Sequence, residues 1–145
     1  MAQCRTSDKL LKEVAAVYEW LDAVVRREQT RAGQCRACGR CCALEQFGHR
    51  LFVTTPELVY LASKLGVSKL KAMTAGVCPY NQARICGVYD YRFAGCRIFC
   101  CSTETEFQST LSETALKKLK SICTEFELPY SYTELGDALN NFELT

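Results

Sequence analysis

The sequence predicts a mainly α fold: a small helical domain with two irregular, cysteine-rich loops and little β-structure. Three observations support this fold class. Apolar residues recur at three- and four-residue steps near both ends of the chain, as they do in amphipathic helices. Eleven of the 145 residues are cysteine. The stretch 76–101 contains five of these cysteines without helical or strand periodicity, which is uncommon in a compact domain unless something other than backbone pairing holds it.

The N-terminal helix is predicted over residues 7–32. Ser7 is suited to cap its start and Gly33 to end it. Its apolar face consists of Leu10, Leu11, Val14, Val17, Tyr18, Leu21, Val24 and Val25. We expect this face to pack on the core of the domain rather than on a partner protein.

The middle of the chain predicts an extended segment followed by two short helices. The segment RLFVTT, Arg50 to Thr55, is rich in β-branched and aromatic residues, which favour extended backbone. A helix is predicted next, with Thr55 as its cap, Pro56 at its first position and Gly66 as its stop. A second short helix is predicted from Ser68 to about Ala75.

The C-terminal part returns to helical periodicity. Thr103 and Glu106 form a capping-box pattern, and Leu128 followed by Pro129 ends the predicted helix. Its apolar face consists of Phe107, Leu111, Leu119, Ile122 and Phe126. A last helix is predicted from about Thr133 to Phe142.

Charge is unevenly distributed along the chain. Residues 31–97 contain ten basic and three acidic side chains, whereas residues 98–145 are net acidic. The positive charge therefore accompanies the cysteines, and we expect arginines to neutralise thiolates there. A nucleic-acid partner is not expected, because lysine-rich tracts with interleaved aromatic residues are missing. Residues 1–22 mix charged with apolar side chains, so no secretory or membrane segment is expected and the predicted location is the cytoplasm.

The stretch CRACGRCC carries the strongest chemical signal. Cys35, Cys38 and Cys41 are separated by two residues each, a spacing that lets neighbouring sulfur atoms face one metal centre. A run of this kind with a remote cysteine before proline, here Cys78, is typical of bacterial ferredoxin sites. Cys42 directly follows Cys41, so it either serves a second centre or binds nothing. In a reducing compartment, clustered cysteines of this kind indicate metal binding more than disulfides.

Other cysteines and the single histidine are weaker candidates. Cys123 lies on the apolar face of a predicted helix, and Cys4 lies near the N-terminus. We interpret both as structural or incidental, because a free cysteine often behaves as a small buried hydrophobe. His49 is interpreted as a hydrogen-bonded structural residue rather than a ligand.

The order of these motifs resembles the CxxCxxCC, or YkgJ-like, family of zinc- or iron-chelating proteins. The resemblance covers Cys35 to Cys101. It implies metal ligands at Cys35, Cys38, Cys41, Cys42, Cys78, Cys86, Cys96 and Cys101. The chain departs from the family at Phe93, where proline usually follows arginine, and at Cys100, where proline often precedes the last cysteine. That second departure leaves open whether Cys100 or Cys101 binds.

The sequence therefore predicts one metal-binding domain over residues 1–145: an N-terminal helix in 1–33, a metal-binding core in 34–101 and C-terminal helices in 102–145. The leading hypothesis is an iron–sulfur protein with a 4Fe–4S cluster, used in electron transfer or in chemistry at an open iron site. Cys35, Cys38 and Cys41 would hold it with Cys78 or a cysteine of the C-terminal loop. The alternative is a structural zinc module that mediates a protein interaction.

Two arginines of the second motif are candidate cofactor-binding residues. Arg92 and Arg97 either pair with anionic thiolates or a bound acidic ligand, or cap carbonyl groups of an irregular loop. A redox or protein partner of unknown identity is expected. Whether the protein is an enzyme is left open by the sequence.

Overall fold

The computed structural model describes residues 2–28, 51–73, 78–82, 85–98 and 105–142. Helices predominate in this part of the chain, and its strands form two short antiparallel pairs. The mainly helical fold class with little β-structure is therefore confirmed. In the described ranges, no helix is both long enough and apolar enough to cross a membrane.

The elements follow one another in the order α1, β1, α2, β2, β3, α3, α4, β4, α5. The helices are α1 (Ala2–Arg27), α2 (Thr55–Leu65), α3 (Ala94–Ile98), α4 (Thr105–Glu125) and α5 (Leu135–Asn141). The strands are β1 (Phe52–Thr54), β2 (Asn81–Gln82), β3 (Ile85–Cys86) and β4 (Tyr132–Glu134). A single 3-10 turn, Tyr89–Tyr91, lies between β3 and α3 in the described region.

The first apolar cluster forms where α1 packs on α4. Its members from α1 are Leu10, Val14, Val17, Tyr18 and Leu21, and those from α4 are Phe107, Leu111, Ala115, Leu119 and Ile122. These residues recur at three- and four-residue steps, so the predicted helical faces are the faces that are buried. The expectation that the N-terminal helix packs on the core is confirmed.

A second apolar cluster lies on the other side of α2. Val59 and Tyr60 of α2 join the first cluster, while Leu58 and Leu61 join the second together with residues that surround the cysteine-rich part of the chain. Those residues include Leu51, Val53, Leu70, Cys78, Tyr80, Val88, Phe93, Leu135, Ala138 and Leu139. Because α2 contributes to both clusters, it connects the long helices to the residues around the cysteine-rich part.

Strand β1 confirms the predicted extended segment, but its partner was not predicted. β1 pairs with β4 in antiparallel register, with Val53 opposite Thr133, and the Leu135 amide donates to the Leu51 carbonyl at 2.8 Å. Residues 133–134 therefore lie in a strand, and the last helix begins at Leu135 rather than Thr133. Three residues are too few to show a strand period in the sequence.

The ends of two predicted helices also differ from the structure. α1 begins at Ala2, so Ser7 lies within it rather than capping its start. α2 is capped by Thr54, not Thr55, because the Glu57 carboxylate accepts hydrogen bonds from both the amide and the hydroxyl of Thr54. Gly66 ends α2 as predicted, in the left-handed conformation with φ 69°.

The predicted helix from Ser68 to about Ala75 is wrong for its described part. Residues 68–73 are irregular, and two of their backbone amides bind distant side chains. The Lys71 amide donates to the Tyr80 hydroxyl at 2.9 Å, and the Met73 amide donates to the side-chain oxygen of Asn140 at 2.9 Å. These bonds join this segment to the chain after Cys78 and to α5.

The stretch 76–101 is also more regular than predicted. It contains the two-residue strands β2 and β3, the 3-10 turn and α3. The Gly87 amide donates to the Tyr80 carbonyl at 2.8 Å and extends the hairpin by one bond. The helical elements are shorter than two turns and the strands span only one two-residue period, so none leaves a periodic signal in the sequence.

Candidate metal centre

Three of the eight predicted metal ligands lie in described parts of the chain. Cys78 precedes the β2–β3 hairpin and is buried, Cys86 ends β3, and Cys96 lies in α3 and is half-buried. The other five, Cys35, Cys38, Cys41, Cys42 and Cys101, lie outside the described residues, as do Cys100 and His49. Within the described ranges, no three potential metal ligands come together. Metal binding by this set stays a prediction.

Cys78 is held in apolar surroundings. It is 8% exposed and belongs to the second apolar cluster, two residues before Tyr80. Tyr80 is bound on three sides: by the Lys71 and Gly87 amides, and by the Lys71 ammonium group 5.4 Å from its ring centre. Burial raises the pKa of Tyr80. The hydrogen bond from the Lys71 amide lowers this pKa, and negative charge on the nearby Cys78 raises it. The segment that carries Cys78 is thus fixed to the hairpin that ends at Cys86.

Helix α3 carries Cys96 and depends on tertiary contacts for its position. It has five residues, and so short a helix is not stable in water without packing. Gly95 packs so closely on Leu51, the residue before β1, that a Cβ atom at position 95 would collide with the Leu51 side chain. Cys96 borders the second apolar cluster, whereas Ala94 and Ile98 belong to the first. α3 therefore lies at the junction of the two clusters.

Arg97 fixes α3 to α1. Its guanidinium group donates to the Asp22 carboxylate at 2.7 Å, and its side chain is only 6% exposed. It also donates to the carbonyls of Arg92 at 2.9 Å and Asp90 at 3.0 Å, and it lies 4.1 Å from the ring centre of Tyr18. Carbonyl capping, one of the two roles considered for Arg97, is therefore observed. Direct contact of Arg97 or Arg92 with a cofactor stays a prediction.

Glu57 is a buried acid at the centre of this arrangement. It is 2% exposed, and each carboxylate oxygen serves different elements. Oε2 accepts the two bonds from Thr54, while Oε1 accepts from the Ala94 amide at the start of α3 and from the Tyr18 hydroxyl at 3.4 Å. Burial raises the pKa of Glu57, and these hydrogen bonds oppose that rise because they favour the charged form.

Cys96 directly precedes Arg97 in α3, the helix whose first amide Glu57 binds. Burial raises the pKa of Tyr18 well above its ordinary value of 10.0, and the negative charge of Glu57 raises it further. The Cys96 thiolate acts in the same direction, whereas the Arg97 guanidinium opposes it.

Both described ends that flank residues 29–50 lead to α3. On one side, Asp22 of α1 contacts Arg97, and Glu28 lies six residues further, about 9 Å along the helix axis. On the other side, Leu51 contacts Gly95. The described segments on both sides of the four-cysteine motif therefore each contact the helix that carries Cys96, α1 through Asp22 and the start of the next segment through Leu51.

The sequence did not single out Glu57, Tyr18 or Asp22 as site residues. Glu57 lies three residues after Thr54, which is the sequence pattern of a capping box, so its role at the start of α2 had a signal. The bond between Glu57 and Ala94 joins residues 37 positions apart, and the pairing of Asp22 with Arg97 joins residues 75 positions apart. No sequence pattern indicated either contact.

A separate cleft of about 480 Å³ lies between α1 and α4. The carboxyl groups of Glu13 and Glu125 lie close together there, and Lys9 lies 3.7 Å from Glu125. The Lys118 ammonium group lies 4.6 Å from the ring centre of Trp20 on the cleft wall. Burial raises the pKa of Glu13. The neighbouring Glu125 carboxyl group raises this pKa further, while the positive charge of Lys9 lowers it. Two like charges therefore meet at this edge of the helix pair.

Glu13→Gln is expected to stabilise the protein at neutral pH, by about 0.5 kcal/mol at most because the pair is solvated. A carboxyl group whose pKa is raised in the fold stabilises it below the ordinary value of 4.5 and loses that contribution as pH rises through the raised pKa. The variant lacks this dependence. Urea unfolding near neutral pH and near pH 4 measures it; a gain that is the same at both pH values would contradict the prediction.

Comparison of the chain with protein-family models, curated proteins and solved structures gives no match in any of the three.

Proposed function

We propose that this protein binds an iron–sulfur cluster through its clustered cysteines and uses it in electron transfer or in chemistry at an open iron site. The cluster would be held chiefly by Cys35, Cys38 and Cys41, with Cys78 or a cysteine of the C-terminal loop as the remaining ligand. The observation that most supports this proposal is the cysteine spacing of CRACGRCC, together with the contacts that Asp22 and Leu51, on either side of this stretch, make with α3. The resemblance to the YkgJ-like family supports the same ligand set.

Connectivity supports convergence of the two cysteine-rich stretches. The chain around the first motif is tied to α3 on both sides, by Asp22 and by Leu51. Cys101 follows the end of α3 by three residues, a span of no more than about 11 Å. These connections are short enough to allow cysteines that are far apart in the sequence to meet near Cys96.

The surroundings suit thiolate ligands. Cys78 belongs to the second apolar cluster and Cys96 borders it, and an apolar shell limits solvent access and so sets the potential of a centre. Arg97 holds a buried positive charge next to Cys96 in the sequence, which favours a negatively charged centre nearby. A bound cluster would supply one-electron transfer, and the protein residues would hold it and exclude water.

A structural zinc module that mediates a protein interaction is the second candidate. The paired two-residue spacings at Cys35, Cys38 and Cys41 are also zinc-knuckle spacings. In that case the same thiolates would fix the fold and the partner would be a protein. In both cases a reducing compartment such as the cytoplasm would keep the thiols able to bind metal.

One set of measurements on protein purified without air decides between these candidates: metal content, acid-labile sulfide content and a visible spectrum. Iron with sulfide and a broad visible band is the expected result. Stoichiometric zinc in a colourless protein would replace the first candidate with the second. Protein that is folded and holds neither metal would contradict both.

A further inference from the structure

The position of α3 depends on a group that lies outside the predicted ligand set. The first amide groups of a helix have no acceptor within the helix, so the amide of Ala94 needs one from elsewhere. Glu57 provides it through Oε1, although it lies 37 residues earlier in the chain. The Arg97 amide donates to the Phe93 carbonyl at 3.1 Å, so the single turn that this contact begins contains Cys96.

Glu57 connects this turn of α3 to two other elements, α1 and α2. Its Oε2 binds the amide and hydroxyl of Thr54, each at 2.9 Å, at the start of α2. Its Oε1 also accepts from Tyr18 of α1, whose ring lies against Arg97. One carboxylate therefore joins the starts of α2 and α3 and the middle of α1, in a site that water does not reach.

A charged carboxylate at the buried position of Glu57 is energetically unfavourable, which suggests that Glu57 has a specific structural role there. An ionised carboxylate in the interior is unfavourable unless hydrogen bonds satisfy it, and four donors face the two oxygens of Glu57. Capping α2 alone does not require burial, since capping boxes are ordinarily formed at helix ends near solvent. The bonds from Ala94 and Tyr18 are the part of the arrangement that capping of α2 does not explain.

We infer that Glu57 is a positioning residue for the metal centre: it fixes the turn of α3 that presents Cys96. This inference rests on the proposed function, and among the eight predicted ligands it takes Cys96 as one that binds the cluster. The residue acts through the Ala94 amide and does not itself bind metal. Its loss is expected to loosen α3 and to change the environment of the centre more than it changes the rest of the fold.

Glu57→Asp tests the inference on the full chain. Aspartate keeps the negative charge and remains able to cap the start of α2, but it is one methylene shorter and withdraws from Ala94. Hydrogen exchange of peptides that cover α3 is expected to become about tenfold faster, as for loss of a hydrogen bond to a charged group. Peptides from α4 should exchange at the wild-type rate. The electron paramagnetic resonance spectrum of the reduced cluster is expected to change as well.

Two control variants separate positioning from general destabilisation. Ile122→Ala creates a cavity in the first apolar cluster without removing any bond to α3, and it should leave the spectrum of the cluster unchanged. Thr54→Val removes one donor to the other oxygen of Glu57 and should loosen α2 but not α3. If Ile122→Ala changes the spectrum as Glu57→Asp does, Glu57 is merely structural.

The wild-type protein provides a measurement that does not depend on a variant. The Ala94 amide is expected to exchange slowly, although it is the first of its helix, because Glu57 binds it. An Ala94 amide that exchanges as fast as a solvent-exposed one would overturn the inference. So would a Glu57→Asp protein whose α3 exchange and cluster spectrum match the wild type, and that result would leave the proposed function intact. Wild-type protein without metal would contradict the proposed function itself, whatever the exchange of α3.

Discussion

Cys38→Ser is expected to yield protein that has lost most of its iron and sulfide, with a free energy of unfolding lower by about 5 kcal/mol or more. Cys38 is the central cysteine of the run and shares a two-residue spacing with Cys35 and with Cys41. A serine hydroxyl is a poor replacement for a thiolate. Because metal binding at such a site is also folding energy, loss of the ligand should remove both. Metal analysis and urea unfolding without air measure the two effects.

Cys123→Ala is the matched control for this variant. Cys123 lies in α4, is 2% exposed, and its pKa is raised by burial, as expected for a thiol that packs as a hydrophobe. Its replacement should cost about 1 kcal/mol and leave the metal content unchanged. Full metal content and unchanged stability in Cys38→Ser would exclude the first motif as the site of the centre.

Arg97→Met is expected to lower the free energy of unfolding by about 2–3 kcal/mol. Methionine fills a similar volume but leaves the Asp22 carboxylate and the carbonyls of Asp90 and Arg92 without their donor. Removing one partner of a fully buried ion pair would destabilise the fold by more than this. Asp22 is 44% exposed, so its carboxylate is hydrated when Arg97 is replaced and the loss is smaller. Urea unfolding of the full chain at low and high salt measures the loss.

Arg27→Met provides the comparison for the ion pair. Arg27 lies 3.9 Å from Glu28, and its side chain is 71% exposed, so its removal should change stability by less than about 0.5 kcal/mol. Arg97→Lys should fall between the two Met variants, because an ammonium group cannot reach three acceptors in the fork geometry of guanidinium. An Arg97→Met protein as stable as Arg27→Met would show that the contacts of Arg97 contribute nothing to the fold.

Helices with long apolar faces were predictable, whereas short elements were not. The faces of α1 and α4 each contain five buried residues at helical spacing, and that periodicity is visible in the sequence. β4 and α3 contain three and five residues, too few to show a period, and both are fixed by contacts with distant segments. The helix predicted after Ser68 was wrong, and the segment is instead joined to distant residues, because Tyr80 binds the Lys71 amide and Asn140 binds the Met73 amide.

The candidate centre shows the same division. The cysteine spacing in CRACGRCC is a local pattern, so the sequence identifies it and names the chemistry it suits. Glu57 shows only a capping pattern, and nothing in its neighbourhood indicates a bond to Ala94. The interaction of Arg97 with Asp22 likewise joins two residues that the sequence separates by 75 positions.

The sequence by itself therefore determined the helical class, the buried faces of the long helices and the set of thiols that predicts a metal centre. These features depend on residue type and on spacing along a few turns of chain. Only the tertiary structure decided that α2 joins two apolar clusters, that β1 pairs with β4, and that a buried carboxylate and a buried guanidinium hold the helix carrying Cys96. The physical reason is that contacts between distant segments depend on how the whole chain closes, and the stability they provide leaves no periodic trace in the residues that make them.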